Sequence, residues 1–463
     1  MAAQQDLLLA YYGDDLTGST DALEFLSLAG IKTVLFIDPP TASQLAKYDS
    51  LQAIGVAGST RSMPPDEMEK VLRPAFEALK TLGAPHVHYK VCSTFDSSPV
   101  IGSIGRAIDV GAEIFSAPFI PLLVAAPALG RYCAFGNLFA RMGIGSNGAI
   151  FRLDRHPSMS KHPVTPADES DLRLHLAKQT KKRIGLMDIL QVALPENEAK
   201  AVLDTIINNG PEVVLFDAIH EEQLANIGAL IDSYADKGRS LFSVGSSGIE
   251  MALGDHWAKQ GLVKAKPTWP HPGKAEALLV ISGSCSPVTS AQIDHALANG
   301  FAEIALNTNR AIDADEDLVN DLTKQVSEYI NAGQSVIVHT SLGSDDPRIG
   351  QTTALLMRKG NDKEQIQGLT AKIYGIVLGQ IAKGVAANTT LKRIVIAGGD
   401  TSSFAARAMG IEAVEMIAKV SPGAPLCKAY APGSPVDGME VNFKGGQVGA
   451  KDHFLTVLNG DTI

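Results

Sequence analysis

Two consecutive carboxylates, Asp14 and Asp15, follow the first apolar run of the chain, Leu7–Tyr12. Ligands of open α/β sheets bind beyond the carboxyl ends of the strands, where these side chains are expected. Ser19 and Asp21 could simply cap the helix that follows, but this leaves Asp14 and Asp15 without a role. We therefore predict that the pair acts on a ligand, by acid–base chemistry, hydroxyl binding or metal contact.

A second polar segment follows the apolar run His86–Val91 and contains Lys90, Ser93 and Asp96. A lysine at a strand end can bind a carboxylate or phosphate, while Asp and Ser select sugar hydroxyls through directional hydrogen bonds. An ordinary Ser/Asp-rich turn is the alternative. The density of polar groups favours a substrate site.

Two further segments carry basic or imidazole side chains. Arg61 follows the apolar run Ala53–Ala57, and it could grip a carboxylate with two hydrogen bonds or be a surface arginine. His156 and His162 lie in a proline-punctuated segment that we expect to form a loop over the site. His156 is a candidate ligand-binding residue, whereas a loop hydrogen bond explains His162.

The second half of the chain has two glycine/hydroxyl loops, each after an apolar run. Ala277–Ile281 is followed by Ser282, Gly283 and Ser284, and Arg393–Ala397 is followed by Gly398, Gly399, Asp400 and Thr401. Small residues let the backbone approach an anion, and N–H groups at a helix start point toward it. Either loop alone could be an ordinary turn, but together they predict a phosphate cradle.

Other glycine-rich segments are less informative. Gly423 and Gly446 lie in turns that could line the same nucleotide pocket or be hairpin turns. The segment Gly143–Gly148 matches G-x-G-x-x-G, yet it precedes the strand-like residues 149–151 instead of following a strand, so we interpret it as a turn. No G-x-x-x-x-G-K-[ST], H-R-D or D-F-G motif occurs, which excludes the P-loop and protein-kinase families at motif level.

Alternating strand and helix patterns position these loops. Strands are predicted at Leu7–Tyr12, Thr33–Ile37, Ala53–Ala57, His86–Val91, Leu122–Ala126, Val213–Phe216, Ala277–Ile281, Val336–His339 and Arg393–Ala397, and helices at Asp21–Ala29, Pro65–Leu82 and Lys363–Val385. The alternation of strand and helix patterns is interrupted at His256–Lys274, which we interpret as the connection between two domains. We predict an α/β protein of two domains, 1–260 for substrate and 275–463 for nucleotide, each a mainly parallel sheet flanked by helices, with the active site in the interdomain cleft.

Composition limits the partners. The formal net charge is −10, and the basic residues are scattered, which argues against a nucleic-acid surface. No basic leader precedes an apolar run and no run reaches the about 18 apolar residues of a membrane span, so we expect a cytoplasmic protein without a membrane partner. The 4 cysteines form no C-x-x-C pair, so neither a zinc knuckle nor a disulfide framework is expected. The sequence is compatible with a homo-oligomer.

The motifs occur in an order that resembles the four-carbon acid sugar kinase family (DUF1537). The likeness rests on 12–18 (YGDDLTG), 90–98 (KVCSTFDSS), 156–165, 397–401 (AGGDT) and 444–449 (KGGQVG) and spans nearly the whole chain. It implies ATP-dependent phosphorylation of the terminal hydroxyl of 3-oxo-tetronate, threonate or erythronate. Extra residues before Pro163 depart from the compact run expected there, which bears on substrate preference.

The resemblance also implies residue roles. The substrate residues are Asp14, Asp15, Arg61, Lys90, Ser93 and Asp96, and the ATP residues are Ser282, Gly398 to Thr401 and Gly446. We expect Asp14 or Asp15 to act as base or to orient the hydroxyl, Arg61 and Lys90 to hold the carboxylate, and Mg²⁺ to bridge the ATP phosphates with few protein ligands.

Two alternative functions are compatible with parts of the sequence. A nicotinamide-dependent oxidoreductase acting on a sugar acid would use the glycine loops, but no fingerprint follows the first strand. A non-catalytic sugar-acid sensor would need the substrate pocket but not a second phosphate cradle. The presence of both glycine loops favours the kinase.

Overall fold

The protein forms two compact units, residues 1–267 and residues 268–463, in a computed structural model. The structure describes residues 7–142, 148–162, 164–236, 238–265 and 268–462, without the side chains of residues 363, 364 and 367. Within these ranges, no helix combines the length and the apolar character that crossing a membrane requires.

The first unit alternates strands and helices. Its strands are β1 (Leu9–Gly13), β2 (Thr33–Phe36), β3 (Ala53–Ala57), β4 (His86–Lys90), β5 (Ile120–Leu123), β6 (Arg131–Ala134), β7 (Asn137–Arg141), β8 (Ile150–Arg152), β9 (Ile184–Met187), β10 (Val213–Phe216) and β11 (Leu241–Gly245). Its helices are α1 (Leu16–Leu28), α2 (Ala42–Leu45), α3 (Pro65–Thr81), α4 (Ile104–Ile114), α5 (Leu172–Ala177), α6 (Ile189–Val192), α7 (Glu196–Asn208), α8 (Leu224–Asp232) and α9 (Gly248–Lys259).

The main sheet of this unit has the order β2-β3-β1-β4-β11-β5-β10-β9, and its strands pair in parallel. Strands β1, β3 and β4 are buried at every position. Continuous apolar runs suit this burial because helices cover both faces of a parallel sheet. A small antiparallel sheet, β6-β7-β8, is inserted after β5.

The second unit repeats the alternation. Its strands are β12 (Leu279–Ser282), β13 (Ala302–Ala305), β14 (Val336–His339), β15 (Arg393–Ala397), β16 (Ala413–Ala418), β17 (Leu426–Tyr430) and β18 (Glu440–Lys444). Its helices are α10 (Pro287–Ala298), α11 (Thr308–Ile312), α12 (Glu316–Asn331), α13 (Pro347–Arg358), α14 (Lys363–Asn388), α15 (Gly399–Met409) and α16 (His453–Asn459). Strands β13-β14-β12-β15-β18 pair in parallel, and β17 and β16 continue the sheet in antiparallel orientation.

The predicted fold class is confirmed: both units are α/β, and their sheets are mainly parallel and flanked by helices. The structure differs from the sequence patterns at element ends. Helix α1 begins at Leu16, five residues before the predicted start, because a carboxylate caps it there. Strand β5 ends at Leu123 instead of Ala126. Helix α9 continues to Lys259, into the segment predicted to be irregular.

Candidate active site

The register of the parallel strands brings three polar segments together in the first unit. Gly13, at the end of β1, is the partner of Ala57 on β3 and of Lys90 on β4. Since parallel strands end at the same edge, the residues that follow Gly13 and Ala57 lie beside Lys90. Backbone bonds join these segments, because Asp14 N–H donates to the Lys90 carbonyl and Arg61 N–H to the Asp14 carbonyl, at 2.9 and 3.1 Å.

Asp15 is the N-cap of α1. Its Oδ1 accepts a 2.8 Å hydrogen bond from the Gly18 N–H, and its Oδ2 accepts one of 2.7 Å from the Thr17 hydroxyl. The alternative that Ser19 and Asp21 cap this helix is therefore wrong, because the helix begins before either residue, and capping is instead a role of Asp15. The Ser19 hydroxyl donates to the Asp15 carbonyl instead.

Arg61 is held by the same carboxylate. Its Nη2 donates to Asp15 Oδ2 at 2.6 Å, and the arginine side chain is 22% exposed. Burial raises the pKa of Asp15, but Arg61 and the Thr17 hydrogen bond outweigh it, so the net shift is downward. Asp15 is thus an anion that fixes a helix end and a guanidinium.

Asp14 has a different environment. Its side chain is buried, Oδ2 accepts a long 3.4 Å bond from the Cys92 N–H, and Oδ1 has no hydrogen-bond partner among the described residues. Burial raises the pKa of this carboxyl, Arg61 and Lys90 lower it, and the result is a pKa of about 7. A carboxylate with a free oxygen and a pKa near neutrality is suited to accept a proton.

Lys90 is buried and paired. Its Nζ lies 3.1 Å from Asp21 Oδ2, an atom that also accepts a 2.6 Å bond from the Ser247 hydroxyl on the opposite side. Burial lowers the pKa of Lys90, yet Asp21 and Asp14 reverse the effect and the net shift is upward. The lysine therefore stays charged.

A buried pair lies behind Lys90. His88 Nε2 is 3.7 Å from Glu250 Oε1, and both side chains are fully buried. Burial raises the pKa of Glu250 to about 8, while burial and the nearby Lys90 lower the pKa of His88 to about 3. Both groups are therefore mainly uncharged near neutral pH, and neither was singled out from the sequence.

The segment after β4 brings Ser93 and Asp96 to the same edge. Ser93 is buried, and Asp96 Oδ1 has no hydrogen-bond partner among the residues the structure describes. Phe95 between them has a φ of 59°, a conformation that few non-glycine residues adopt.

His156 lies in the loop between two short 3-10 turns, Leu153–Arg155 and Met159–Lys161, as the proline-punctuated segment predicted. Its ring is buried, and burial followed by the charge of Arg131 lowers its pKa. Arg131, at the start of β6, was missed because a single arginine inside a hairpin gives no signal. Pro163 of this segment and residues 143–147 of the G-x-G-x-x-G segment lie outside the described residues.

In the second unit, the two glycine/hydroxyl loops contact one another. Ser282 at the end of β12 is the partner of Ala397 at the end of β15. A Cβ on Gly398 would lie 2.6 Å from Thr401 Oγ1 and 3.3 Å from the Ser284 nitrogen, and a Cβ on Gly283 would also collide with Thr401. Gly398 has a φ of 133°, which side chains rarely tolerate.

The Gly446 turn completes this edge. Its carbonyl accepts hydrogen bonds from Ser286, the N-cap of α10, and from Thr289. Lys444 is buried beside it, with Nζ bonded to Thr289 Oγ1 and the Gly445 carbonyl at 3.0 and 2.9 Å. Burial lowers the pKa of Lys444 to about 7. The sequence motif contained this lysine, but the prediction did not assign it a role.

The remaining predicted nucleotide residues lie at the same edge of the sheet. Gly399 and Asp400 form the first turn of α15, directly after Gly398. Gly423 precedes β17, whose start lies where β18 ends because the two strands are antiparallel. Within the described ranges, no group of three or more His, Cys, Asp or Glu side chains is arranged to hold a metal ion.

Comparison with known proteins assigns the two units to known domains. Residues 9–253 match the sugar-binding N-terminal domain family, and residues 279–454 match the nucleotide-binding C-terminal domain family. The chain belongs to the four-carbon acid sugar kinase family. It is therefore a phosphotransferase of the kinase class.

Characterised relatives differ in their substrates. This kinase is 41% identical over 456 residues to the 3-oxo-isoapionate kinase of Paraburkholderia graminis, covering 98% of this chain and 94% of the relative. It is 28% identical to the 3-oxo-tetronate kinase of Methylobacterium radiotolerans, covering 98% and 99% of the two chains.

Solved structures support the fold. A protein from Salmonella typhimurium LT2 superposes with a TM-score of 0.73 at 23% identity, covering 97% of this kinase and 98% of that chain. A protein from Haemophilus influenzae superposes with a TM-score of 0.66, also at 23% identity and with the same coverage. At this identity the similarity establishes the fold alone.

Proposed function

We propose that this kinase transfers the γ-phosphoryl group of ATP to the terminal hydroxyl of a sugar acid, with 3-oxo sugar acids as the first candidates. The observation that carries the proposal is Asp14, a buried carboxylate at the end of β1 whose Oδ1 has no hydrogen-bond partner among the described residues. Phosphoryl transfer requires chiefly that the acceptor hydroxyl be oriented and that charge be neutralised. Asp14 supplies the first, because its free oxygen can accept the hydroxyl proton.

Asp15 has a supporting role in this proposal. Its two oxygens are occupied by the α1 N-terminus, Thr17 and Arg61, so it cannot accept a proton from a substrate without releasing them. Of the two predicted catalytic carboxylates, we therefore assign the base to Asp14. Asp15 positions Arg61, and Lys90 contributes a second positive charge that favours the ionised form of Asp14. Ser93 and Asp96 are assigned to the substrate hydroxyls.

The second unit supplies the nucleotide site in this proposal. The Gly398 and Gly446 turns meet the Ser282–Ser284 loop where α10 and α15 begin, and helix starts present N–H groups to phosphates. Lys444 adds a buried amine next to this cradle. We assign ATP to these loops, with Gly423 at the border of the pocket.

The residues of this site are compatible with Mg²⁺ that binds together with ATP. The ion keeps several waters and is bound through phosphates with one or two carboxylates. Asp400 in the first turn of α15 is a suitable carboxylate for such an ion. When bound, the ion neutralises phosphate charge.

Sequence identity to the named relatives gives an order of candidate substrates. 3-Oxo-isoapionate is the first candidate because the relative named for it shares 41% identity, against 28% for the 3-oxo-tetronate kinase. 3-Oxo-tetronate, threonate and erythronate are the next candidates. A coupled assay of ATP consumption with freshly prepared acids tests the proposal, with Asp14→Asn as a control of strongly reduced activity. If none of these acids stimulates ATP consumption by the wild-type enzyme, the proposal is wrong.

A further inference from the structure

The two basic residues predicted to hold the substrate carboxylate are already paired with protein carboxylates. Arg61 Nη2 lies 2.6 Å from Asp15, and Lys90 Nζ lies 3.1 Å from Asp21. Asp15 also caps a helix and Asp21 also accepts a bond from Ser247, so neither acid is free to leave its partner. A substrate carboxylate would compete with these pairs.

Arg131 is different because it is buried without an acidic partner. It is 6% exposed, and its hydrogen bonds within the described part of the chain go to backbone carbonyls, with no ion pair to an acidic side chain among them. Its Nη1 donates to the carbonyls of Leu129, Gly130 and Arg141 at 3.1, 3.3 and 3.2 Å. Its Nε is buried and has no partner among the described residues.

This arrangement leaves one edge of the guanidinium available. Carbonyl groups hold Nη1 in place, whereas Nε and Nη2 form the edge that binds a carboxylate through two parallel hydrogen bonds. Burying a guanidinium that no carboxylate contacts directly is costly, so the site favours an anionic ligand. The strand register places Arg131 at the same sheet edge as Lys90, because Gly245 on β11 is the partner of both Lys90 and the last residue of β5, and Arg131 pairs with a residue just after β5.

His156 lies beside the small sheet that contains Arg131, because its ring contacts that of Phe151 on β8, with the ring centroids 5.8 Å apart. Its Nδ1 accepts the backbone N–H groups of Ser158 and Met159 at 3.2 and 3.3 Å, so the ring proton is assigned to Nε2. Burial and Arg131 keep the ring uncharged by lowering its pKa. A neutral Nε2–H donor near Arg131 suits an oxygen next to a carboxylate.

We infer that Arg131 binds the carboxylate of the sugar acid through Nε and Nη2, and that His156 donates to a neighbouring substrate oxygen. The inference rests on the proposed function. It changes the predicted roles of Arg61 and Lys90, which then lie at the end of the substrate that reacts near Asp14 and no longer bind its carboxylate. Arg131 becomes the residue that distinguishes acids from neutral sugars.

A pair of substrates that differ only in the carboxylate tests this role. Dihydroxyacetone is 3-oxo-tetronate without its carboxylate, so it keeps the ketone and a terminal hydroxyl. The kcat/KM for both compounds is measured in the wild-type enzyme and in Arg131→Gln. We expect kcat/KM for the acid to fall by roughly 10- to 150-fold, as for loss of a charge-assisted contact. The value for dihydroxyacetone should stay unchanged.

Matched variants complete the experiment. Arg73→Gln removes an exposed arginine on α3 and should leave both substrates unaffected. Arg131→Lys keeps the charge but loses the two-bond geometry, and we expect an intermediate loss for the acid; it also serves if Arg131→Gln fails to fold. ATP titration and thermal unfolding check the fold of each variant.

The outcomes separate the inference from the proposed function. The role of Arg131 is overturned if Arg131→Gln or Arg131→Lys keeps the wild-type kcat/KM for the acid. It is also overturned if kcat/KM falls equally for the acid and for dihydroxyacetone. A selective loss in Arg61→Met instead would return the carboxylate to Arg61. If the wild-type enzyme phosphorylates no acid at all, the proposed function fails, and the inference fails with it.

Discussion

The Nη2 atom of Arg61 lies 2.6 Å from Oδ2 of Asp15, the residue that caps helix α1. One carboxylate thus joins the β1 loop, the first turn of a helix and the segment after β3. Its neighbour Asp14 has a free Oδ1 within the described structure. Adjacent residues of the same type therefore have separate tasks, and separate variants should show it.

Asp15→Ala should reduce the stability of the protein. The variant loses a helix cap and a charged hydrogen bond between the buried Asp15 and the partly exposed Arg61, which together are worth about 2 kcal/mol. Urea unfolding measures the change. Asp15→Asn keeps an oxygen for the Gly18 N–H and should lose less. Equal stability of Asp15→Ala and wild type would show that the cap is not significant.

The kcat of the enzyme should rise with pH around neutrality. The pKa of Asp14 is raised to about 7, and a general base works only when deprotonated, so activity increases as the pH passes upward through this value. Saturating ATP is used because the lowered pKa of Lys444, also about 7, affects nucleotide binding. Asp14→Asn should lower kcat by about 100-fold or more. A variant that keeps the wild-type rate and profile contradicts the role of Asp14.

Gly18→Ala should damage the sugar-acid site selectively. A Cβ at this position would lie 2.5 Å from Asp15 Oδ1 and 3.0 Å from Lys90 Nζ, so both side chains must shift. We expect kcat/KM for the acid to fall at least about 10-fold, which corresponds to about 1.4 kcal/mol, with ATP binding unchanged.

Gly350→Ala is the matched control for that variant. Gly350 lies in α13 with no atom within 4 Å of its built Cβ. Alanine should stabilise the helix by about 0.5–1 kcal/mol and leave the kinetics unchanged. Identical kinetics for Gly18→Ala and Gly350→Ala would show that the space beside Lys90 is not required.

Gly398→Ala should weaken ATP binding while sugar-acid binding is retained. The residue has a φ of 133°, and a Cβ would lie 2.6 Å from Thr401 Oγ1, so the loop must change its conformation. Isothermal titration with ATP and with the acid, performed separately, measures both affinities. Equal losses would contradict the assignment of this loop to the nucleotide, and Gly350→Ala again serves as control.

The fold class was predictable from the sequence alone, and so were the segments that supply the candidate site. Continuous apolar runs such as Ala53–Ala57 and Arg393–Ala397 coincide with β3 and β15, because strands buried on both faces leave a strong local signal. Polar residues after such runs indicate strand ends. The antiparallel β16 and β17 left no comparable signal, and the start of α1 was placed five residues late.

The different surroundings of the polar residues could not be predicted from the sequence, because they arise from three-dimensional packing. Asp14 and Asp15 are identical in type, but only Asp15 accepts hydrogen bonds from the start of α1 and from Arg61, which is adjacent only after β1 and β3 pair. Arg131 comes from a hairpin beyond β5 and lacks a motif of its own. Its lack of an acidic partner among the described residues is a property of three-dimensional packing. Burial and contacts between distant residues determine the charge of a polar side chain and whether it can bind a ligand. The spacing of residues along the sequence does not predict either property.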